Sequence, residues 1–193
     1  MKTVLAIDLA WTGPSGWVQW NEWNSSSPLV CLGEFQPIQK DVSKIADEHY
    51  GRWLSVLDLL FYAGTKMPAS FDVVYEYSDW SQPVGQQYGR EKTVQHALGA
   101  AEAVFCLACI HKGVTPHRLG VTEARHDFGA KNKDEVRTLL TLEYQGIFEL
   151  DKTRGGWLVY VPGSAKISKH VADAIVLAKV FARRQALLER AGK

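Results

Sequence analysis

The sequence predicts a mixed-sheet α/β domain that takes up all of residues 1–193. Three strand-like stretches separated by turn residues open the chain, which is typical of an antiparallel meander. From residue 41 onwards, helix patterns alternate with strand patterns, which is typical of an α/β domain. A length of 193 residues suits one domain with a sizeable core, whereas two full domains would be cramped.

The predicted strands are short stretches of apolar or alternating residues. The first is a compact apolar run, and the second alternates large apolar with polar side chains. Turn residues at 12–16 and a Ser-Ser-Ser-Pro run at 25–28 separate the first three strands. We expect strands over residues 3–9, 17–23, 29–35, 71–76 and 115–119.

The predicted helices carry apolar residues at helical spacing. The first is amphipathic, and the second is strongly apolar and rich in alanine. We expect helices over residues 41–62, 91–111, 122–128, 133–144 and 170–190. Residues 151–168 are the least regular part of the chain, and we expect a mobile loop there.

The charge balance is close to neutral but unevenly distributed. The formal net charge is +1, whereas a nucleic-acid binder more often carries an excess of basic residues. Residues 1–90 contain 6 Lys/Arg and 10 Asp/Glu, and residues 91–193 contain 16 and 11. Because the second half is basic, the near-neutral net charge does not exclude a nucleic-acid partner. The hydrophobic content of 46% argues against disorder.

Three cysteines cannot form a disulfide framework, so a reducing environment is expected. Cys106 and Cys109 lie in an apolar helix, where we expect small buried side chains rather than a zinc or redox site. The first residues do not form a signal peptide, and no run approaches the ~20 apolar residues of a membrane span. We therefore expect a cytoplasmic protein without membrane contact.

Acidic side chains stand at three informative positions. Asp8 and Glu76 each end a buried strand, and a buried carboxylate is costly unless it meets a cation or a proton. Asp173 lies in an apolar helix, three residues after His170, so the two share a helix face. If the two strands are neighbours, the three acids form an oxygen cage that suits Mg²⁺ or Mn²⁺ better than zinc.

Simpler interpretations of these residues remain open. Asp8 has the position of a residue that caps the following turn. Asp173 near a helix start is stabilised by the helix dipole alone. His170 is open to several roles: a metal ligand, a proton shuttle, a phosphate contact or a solvent-facing residue.

Five motifs together resemble the RuvC-type Holliday junction resolvases of the RNase H-like superfamily. The first strand and turn, the second acidic strand, a Gly-Ala helix, a basic loop and an acidic closing helix occur in that family's order. They are Ile7-Asp8-Leu9-Ala10 with Gly13 and Gly16-Trp17, Tyr75-Glu76, Leu98-Gly99-Ala100-Ala101-Glu102-Ala103-Val104, Thr122-Glu123-Ala124-Arg125 with Gly129-Ala130-Lys131-Asn132-Lys133-Asp134-Glu135-Val136, and His170-Val171-Ala172-Asp173-Ala174. The similarity covers most of the chain.

The resemblance implies an RNase H-like fold, a mixed sheet of three antiparallel and two parallel strands flanked by helices. It implies that Asp8, Glu76, His170 and Asp173 are catalytic metal ligands for two Mg²⁺ ions, with Mn²⁺ as a substitute. It also implies a homodimer that cuts four-way DNA junctions by metal-dependent phosphodiester hydrolysis. The segments 77–90 and 145–168 are longer than the family pattern leads us to expect.

DNA contacts are expected from basic and aromatic side chains. The resemblance brings Lys131 and Lys133 near the scissile phosphate or the DNA backbone. Further basic residues that are expected to neutralise phosphates are Arg125, Lys166 and Lys169. Tyr77 and Trp80 are candidates for stacking on splayed bases. A solvated mixed-charge surface and ordinary loop packing are the alternatives.

Other functions fit the same residues. One is another RNase H-like nuclease, acting on flapped or branched DNA or on an RNA–DNA hybrid. Another is a non-catalytic protein that binds junctions. An actin-like ATPase is disfavoured, because the chain has about half the length a two-lobed ATPase needs and lacks a phosphate-binding loop motif.

Overall fold

The computed structural model describes residues 3–11, 13–21, 29–38, 41–62, 71–77, 88–151 and 157–192. These residues form eight strands and five α-helices, with a 3₁₀ turn over Val161–Gly163. In chain order the elements are β1 (Thr3–Asp8), β2 (Ser15–Trp20), β3 (Leu29–Phe35), α1 (Val42–Tyr62), β4 (Phe71–Tyr77), α2 (Tyr88–His111), β5 (Pro116–Gly120), α3 (Val121–Phe128), α4 (Lys133–Glu143), β6 (Phe148–Asp151), β7 (Trp157–Tyr160), β8 (Ala165–Ile167) and α5 (Lys169–Ala191).

Five strands form a mixed sheet in the order β3-β2-β1-β4-β5. The pairs β3–β2 and β2–β1 are antiparallel, and the pairs β1–β4 and β4–β5 are parallel. The predicted sheet of three antiparallel and two parallel strands is therefore confirmed. β2 begins two residues before its predicted start, because Ser15 and Gly16, residue types that are common in turns, pair with β3, and Gly16 also pairs with β1.

Helices cover both faces of this sheet, and the alternation of side chains along each strand divides the core. Val4 and Ala6 of β1 pack into a core with α3, α4 and α5. Leu5 and Ile7 point to the opposite face and pack with residues of α1 and α2. Alternate residues of a strand point to the same side, so Val4, Ala6 and Asp8 share the face of the sheet that packs against α5. We call it the α5 face.

A second, smaller sheet includes residues 157–160 and 165–167, so the loop that we expected over residues 151–168 is wrong for that part. Its strand order is β6-β7-β8, and both pairs are antiparallel. Phe148, Leu158 and Ile167 are at most 1% exposed and join the core that contains α4 and α5. Burial of these three side chains stabilises strands that are too short to be evident from their sequence alone. Residues 152–156 lie outside the described part.

The two cysteines of the helix α2 differ in burial. Cys109 is fully buried, as expected, whereas Cys106 is half-buried and close to the hydroxyl of Tyr75. Within the described ranges, no helix combines the length and the apolar character that crossing a membrane requires.

Candidate active site

Asp8 and Glu76 meet on the α5 face at the carboxyl ends of two neighbouring parallel strands. The register pairs Ala6 with Val74 and Ile7 with Tyr75, so the next residues along, Asp8 and Glu76, are also neighbours. Asp8 is 4% exposed, and its carboxyl group is hydrogen-bonded to that of Glu76. The predicted convergence of these two acids is confirmed by this contact.

The environment of the pair favours a shared proton. Burial raises the pKa of Asp8, and the negative charge of Asp173 raises it further, although the bond to Glu76 opposes the rise. Burial, the bond to Asp8 and the charges of Asp8 and Asp173 raise the pKa of Glu76 even more. Two adjacent carboxylates cannot both stay ionised at low cost unless a cation joins them. The pair therefore holds a proton in the metal-free protein.

His170 reaches Asp8 from the start of α5. Ser168 caps this helix by accepting a hydrogen bond from the Val171 backbone N–H. A hydrogen bond of 2.8 Å joins Nδ1 of His170 to Oδ2 of Asp8. Burial and the charge of Lys133 lower the pKa of His170, against an opposing effect of Glu34. The lowered pKa favours the neutral imidazole near pH 7.

The close approach of α5 to the sheet depends on Gly16. This residue pairs with Asp8 in β1, and its Cα faces the backbone of His170 and Val171. A Cβ added to Gly16 would lie only 2.5 Å from the carbonyl carbon of His170 and from the nitrogen of Val171. The absence of a side chain at this position lets α5 lie close enough for His170 to contact Asp8.

Asp173 lies one helical turn after His170 and is paired with two cations. It is 1% exposed. Arg125 of α3 donates from Nε to Oδ1 at 3.1 Å and from Nη2 to Oδ2 at 2.9 Å. Nζ of Lys133, the first residue of α4, lies 2.9 Å from Oδ2. Asn132 caps α4 and fixes its start by accepting hydrogen bonds from two backbone N–H groups.

The donor set fits a hard divalent cation, although it is not assembled for one in this arrangement. The three carboxylates and one imidazole are ligand types that Mg²⁺ and Mn²⁺ accept. A pair of acids that shares a proton can bind a cation when that proton leaves. Nevertheless, among the residues that the structure describes, no three His, Cys, Asp or Glu side chains are grouped closely enough to hold a metal ion. Both oxygens of Asp173 are instead bound by Arg125 and Lys133.

Two open clefts flank the site. The first, the α3 cleft, has a volume of about 460 Å³. It is lined by Thr122, Arg125, His126, Gly129, Ala130 and Lys131. The second, the α5 cleft, has a volume of about 520 Å³. It is lined by Pro14, Glu34, Lys133, Asp134, Arg137, Ile167, Ser168, Lys169 and His170.

The residues predicted to contact DNA are distributed over these clefts. Arg125 and Lys131 line the α3 cleft, and Lys133 and Lys169 line the α5 cleft. Lys166 is exposed on β8, next to the cleft residue Ile167. The two predicted aromatic contacts are not seen, because the side chain of Tyr77 at the end of β4 and the whole of Trp80 lie outside the described part.

Sequence reasoning missed Glu34. It lies opposite Gly16 in the register of β2 and β3, and Gly16 lies opposite Asp8. Directly opposed residues share a face of the sheet, so Glu34 and Asp8 are on the same side with Gly16 between them. The only signal in the sequence is that register, which requires the lengths of both turns to be known.

Comparison with solved structures identifies the fold as RuvC-type. The structure of T. thermophilus RuvC in complex with Holliday junction substrate matches with a TM-score of 0.62 and 16% sequence identity. A second Thermus thermophilus RuvC structure matches with a TM-score of 0.61, also at 16% identity. Each match covers 95% of this chain and 96% of the other. No protein-family model matches the chain, and no curated protein matches its sequence.

Proposed function

We propose that this protein is a divalent-metal-dependent, structure-selective DNA endonuclease that resolves four-way (Holliday) junctions by hydrolysing phosphodiester bonds. One observation carries this proposal. The Asp8–Glu76 pair, of which Asp8 is buried, lies beside His170 and Asp173 at the strand ends of a RuvC-type fold that extends over 95% of the chain. This activity is that of a crossover junction endodeoxyribonuclease, with a role in DNA recombination and repair. We propose a cytoplasmic location.

We assign Asp8, Glu76, His170 and Asp173 as the ligands of two Mg²⁺ ions, for which Mn²⁺ substitutes. When bound, such ions activate a water molecule and stabilise the leaving oxygen of the phosphodiester. Asp8 and Glu76 act as ligands only after their shared proton has left, because a carboxylate must be ionised to bind a cation. His170 is neutral near pH 7 and offers a nitrogen for ligation or for proton transfer.

The two clefts are proposed to hold the DNA backbone on either side of the reacting phosphate. Lys and Arg side chains neutralise phosphates and release counterions, so they supply most of the affinity that does not depend on sequence. Arg125 and Lys131 serve this role in the α3 cleft, and Lys133 and Lys169 serve it in the α5 cleft. Lys166 extends the basic surface of the α5 cleft along β8.

We propose that all of residues 1–193 form one nuclease domain and that two copies form a homodimer. Resolution of a four-way junction requires two cuts, so a pair of active sites suits the substrate. Leu107 and Ile110 of α2 support a dimer surface, because they are three residues apart and are 55% and 70% exposed. Large apolar side chains exposed in this way on one helix face favour contact with a partner.

The direct test is cleavage of a panel of synthetic substrates with Mg²⁺. We expect a four-way junction to be cut into two nicked duplexes while linear duplex stays intact. Asp8→Asn should bind the junction without cutting it. Equal cutting of linear duplex, flapped DNA or RNA–DNA hybrid would contradict junction resolution and favour another nuclease. Binding without any cleavage by the unmodified protein, with Mg²⁺ or Mn²⁺, would indicate a non-catalytic junction-binding protein.

Two variants on β4 distinguish the effect of losing a metal ligand from the effect of losing any acidic residue of that strand. Glu76→Gln removes the acid next to Asp8, and Asp72→Asn removes an acid four residues earlier on the same face of the strand. We expect Glu76→Gln to abolish cleavage and Asp72→Asn to retain it. If both variants cut junctions as well as the unmodified protein does, the assignment of Glu76 is wrong.

A further inference from the structure

Two cationic side chains, Arg125 and Lys133, hold Asp173. Three contacts of 2.9–3.1 Å engage both of its oxygens, two from Arg125 and one from Lys133. The carboxylate is 1% exposed, so water does not compete for it. A buried carboxylate stripped of its partners is strongly destabilised. Asp173 therefore releases Arg125 and Lys133 only if other positive charge replaces them.

A divalent cation carries the charge that the exchange requires. Arg125 and Lys133 together carry two positive charges, and a divalent cation brings the same two. The cations would then need anions of their own, because a charge left unpaired beside a buried site is costly. Phosphates of a DNA backbone supply these anions, and they bind Arg in the same two-pronged manner as a carboxylate does.

Each of the two cations borders an open cleft. The side chain of Arg125 is 16% exposed and lines the α3 cleft, and that of Lys133 is 43% exposed and lines the α5 cleft. Lys133 is the first residue of α4 and has a long flexible side chain, which can turn from Asp173 to the cleft without a backbone change. The volumes of about 460 and 520 Å³ are large enough for a phosphate and its sugar.

We propose that Arg125 and Lys133 exchange partners: they hold Asp173 in the free protein and transfer to DNA phosphates when Asp173 takes up a divalent cation. This inference rests on the proposed function. The exchange predicts positive coupling between metal binding and DNA binding. A metal ion on Asp173 frees Arg125 and Lys133 for phosphates, and phosphates on these two side chains free Asp173 for the metal ion. Coupling between two ligands is reciprocal, so DNA should raise metal affinity by the same factor by which metal raises DNA affinity.

The first test is calorimetric titration of Mn²⁺ into the DNA-free protein. Lys133→Gln removes one competitor for Asp173 and leaves both Arg125 bonds in place, so the fold should persist. We expect Mn²⁺ to bind this variant about fivefold more tightly than the unmodified protein, the effect of losing one partly exposed ion pair. Arg137→Gln is the matched control on the same helix, because Arg137 pairs with Asp134 and should change the affinity little.

The second test measures junction binding without metal, in the presence of a chelator. Asp173→Asn releases Arg125 and Lys133, so this variant should bind a four-way junction more tightly than the unmodified protein. Asp8 belongs to the same site but is hydrogen-bonded to His170 and Glu76 instead. Asp8→Asn should therefore show a smaller gain in junction affinity. Equal gains in the two variants would mean that loss of negative charge explains the effect, and would overturn the exchange.

These tests distinguish failure of the partner exchange from failure of the proposed nuclease activity. A protein that cuts junctions but whose Lys133→Gln variant gains no Mn²⁺ affinity would overturn the exchange and leave the proposed function standing. A protein that cuts no DNA but shows the gain in Mn²⁺ affinity would support the exchange and contradict the proposed function. Thermal melting of each variant confirms that the compared proteins are folded.

Discussion

Gly16 lies where β2 passes the start of α5, and the structure predicts that no side chain fits there. A Cβ at this position would be 2.5 Å from the carbonyl carbon of His170 and from the nitrogen of Val171, and 2.8 Å from the carbonyl oxygen of His170. All three atoms belong to the backbone of a helix, so no flexible side chain gives way. The substitution to test is Gly16→Ala.

The size of the expected effect follows from these distances. Ordinary contacts of a Cβ begin at 3.4 Å, so α5 and β2 must separate by about 1 Å. That movement carries Nδ1 of His170 away from Oδ2 of Asp8, which is now 2.8 Å distant, and breaks the hydrogen bond. Overpacking of this kind costs about 1–3 kcal/mol of stability. A misplacement of about 1 Å at an active site lowers a rate by roughly 100-fold.

The assay pairs urea unfolding with single-turnover cleavage of a four-way junction. Gly51→Ala is the matched control, because Gly51 is exposed on α1 and an added Cβ meets nothing within 4 Å. Alanine in a helix is more stable than glycine by about 0.5–1 kcal/mol, so this variant should gain stability and cut normally. Gly16→Ala with unchanged stability would refute the steric reasoning. Lower stability with an unchanged cleavage rate would refute the link between Gly16 and His170.

Three further predictions concern pH, salt and assembly. Because the pKa values of Asp8 and Glu76 are raised, the metal-free folded protein holds protons that the unfolded chain releases above about pH 4, so its free energy of unfolding should fall as pH rises. Asp8→Asn should reduce this fall in denaturant titrations from pH 5 to 8, and an identical slope in both proteins would contradict the shared proton. Lys169→Gln should reduce the slope of log affinity for a junction against log salt by about 1, whereas Arg190→Gln, in the last turn of α5, should leave it unchanged. Leu107→Glu should shift the protein from dimer to monomer in light scattering, and a monomeric unmodified protein would contradict the dimer.

The acids at the ends of β1 and β4 made the central part of the site predictable. In a strand, every second residue faces the same side, so Asp8 and Glu76 follow Ala6 and Val74 onto the α5 face. Two hydrophobic strands that each end in an acid therefore predict two acids together, provided that the strands are neighbours. Local pattern and parallel pairing agree here, because the pairing of Ala6 with Val74 brings Asp8 and Glu76, each two residues further along, next to each other.

The small sheet β6-β7-β8 was not predictable in the same way. Its strands have three or four residues each, and the chain between them is rich in glycine and proline. Such short stretches gain little from their own propensity and become strands because Phe148, Leu158 and Ile167 are buried against α4 and α5. The local indications of strands are the alternation of apolar and acidic residues over Phe148–Asp151 and the short apolar run Trp157–Tyr160.

The acids at the strand ends and the helix face that bears His170 and Asp173 can be inferred from the chain, because they depend on local sequence pattern. That β1 and β4 are neighbours was a condition of the predicted acid pair, and the tertiary structure supplies it. The partners of those acids depend on contacts between residues far apart in sequence. Arg125 is 48 residues from Asp173, and His170 is 162 residues from Asp8. Which cation meets which carboxylate, and how closely α5 approaches Gly16, follow from the packing of helices on the sheet. No local pattern carries that information, because the free energy of a buried ion pair depends on the surroundings that burial creates.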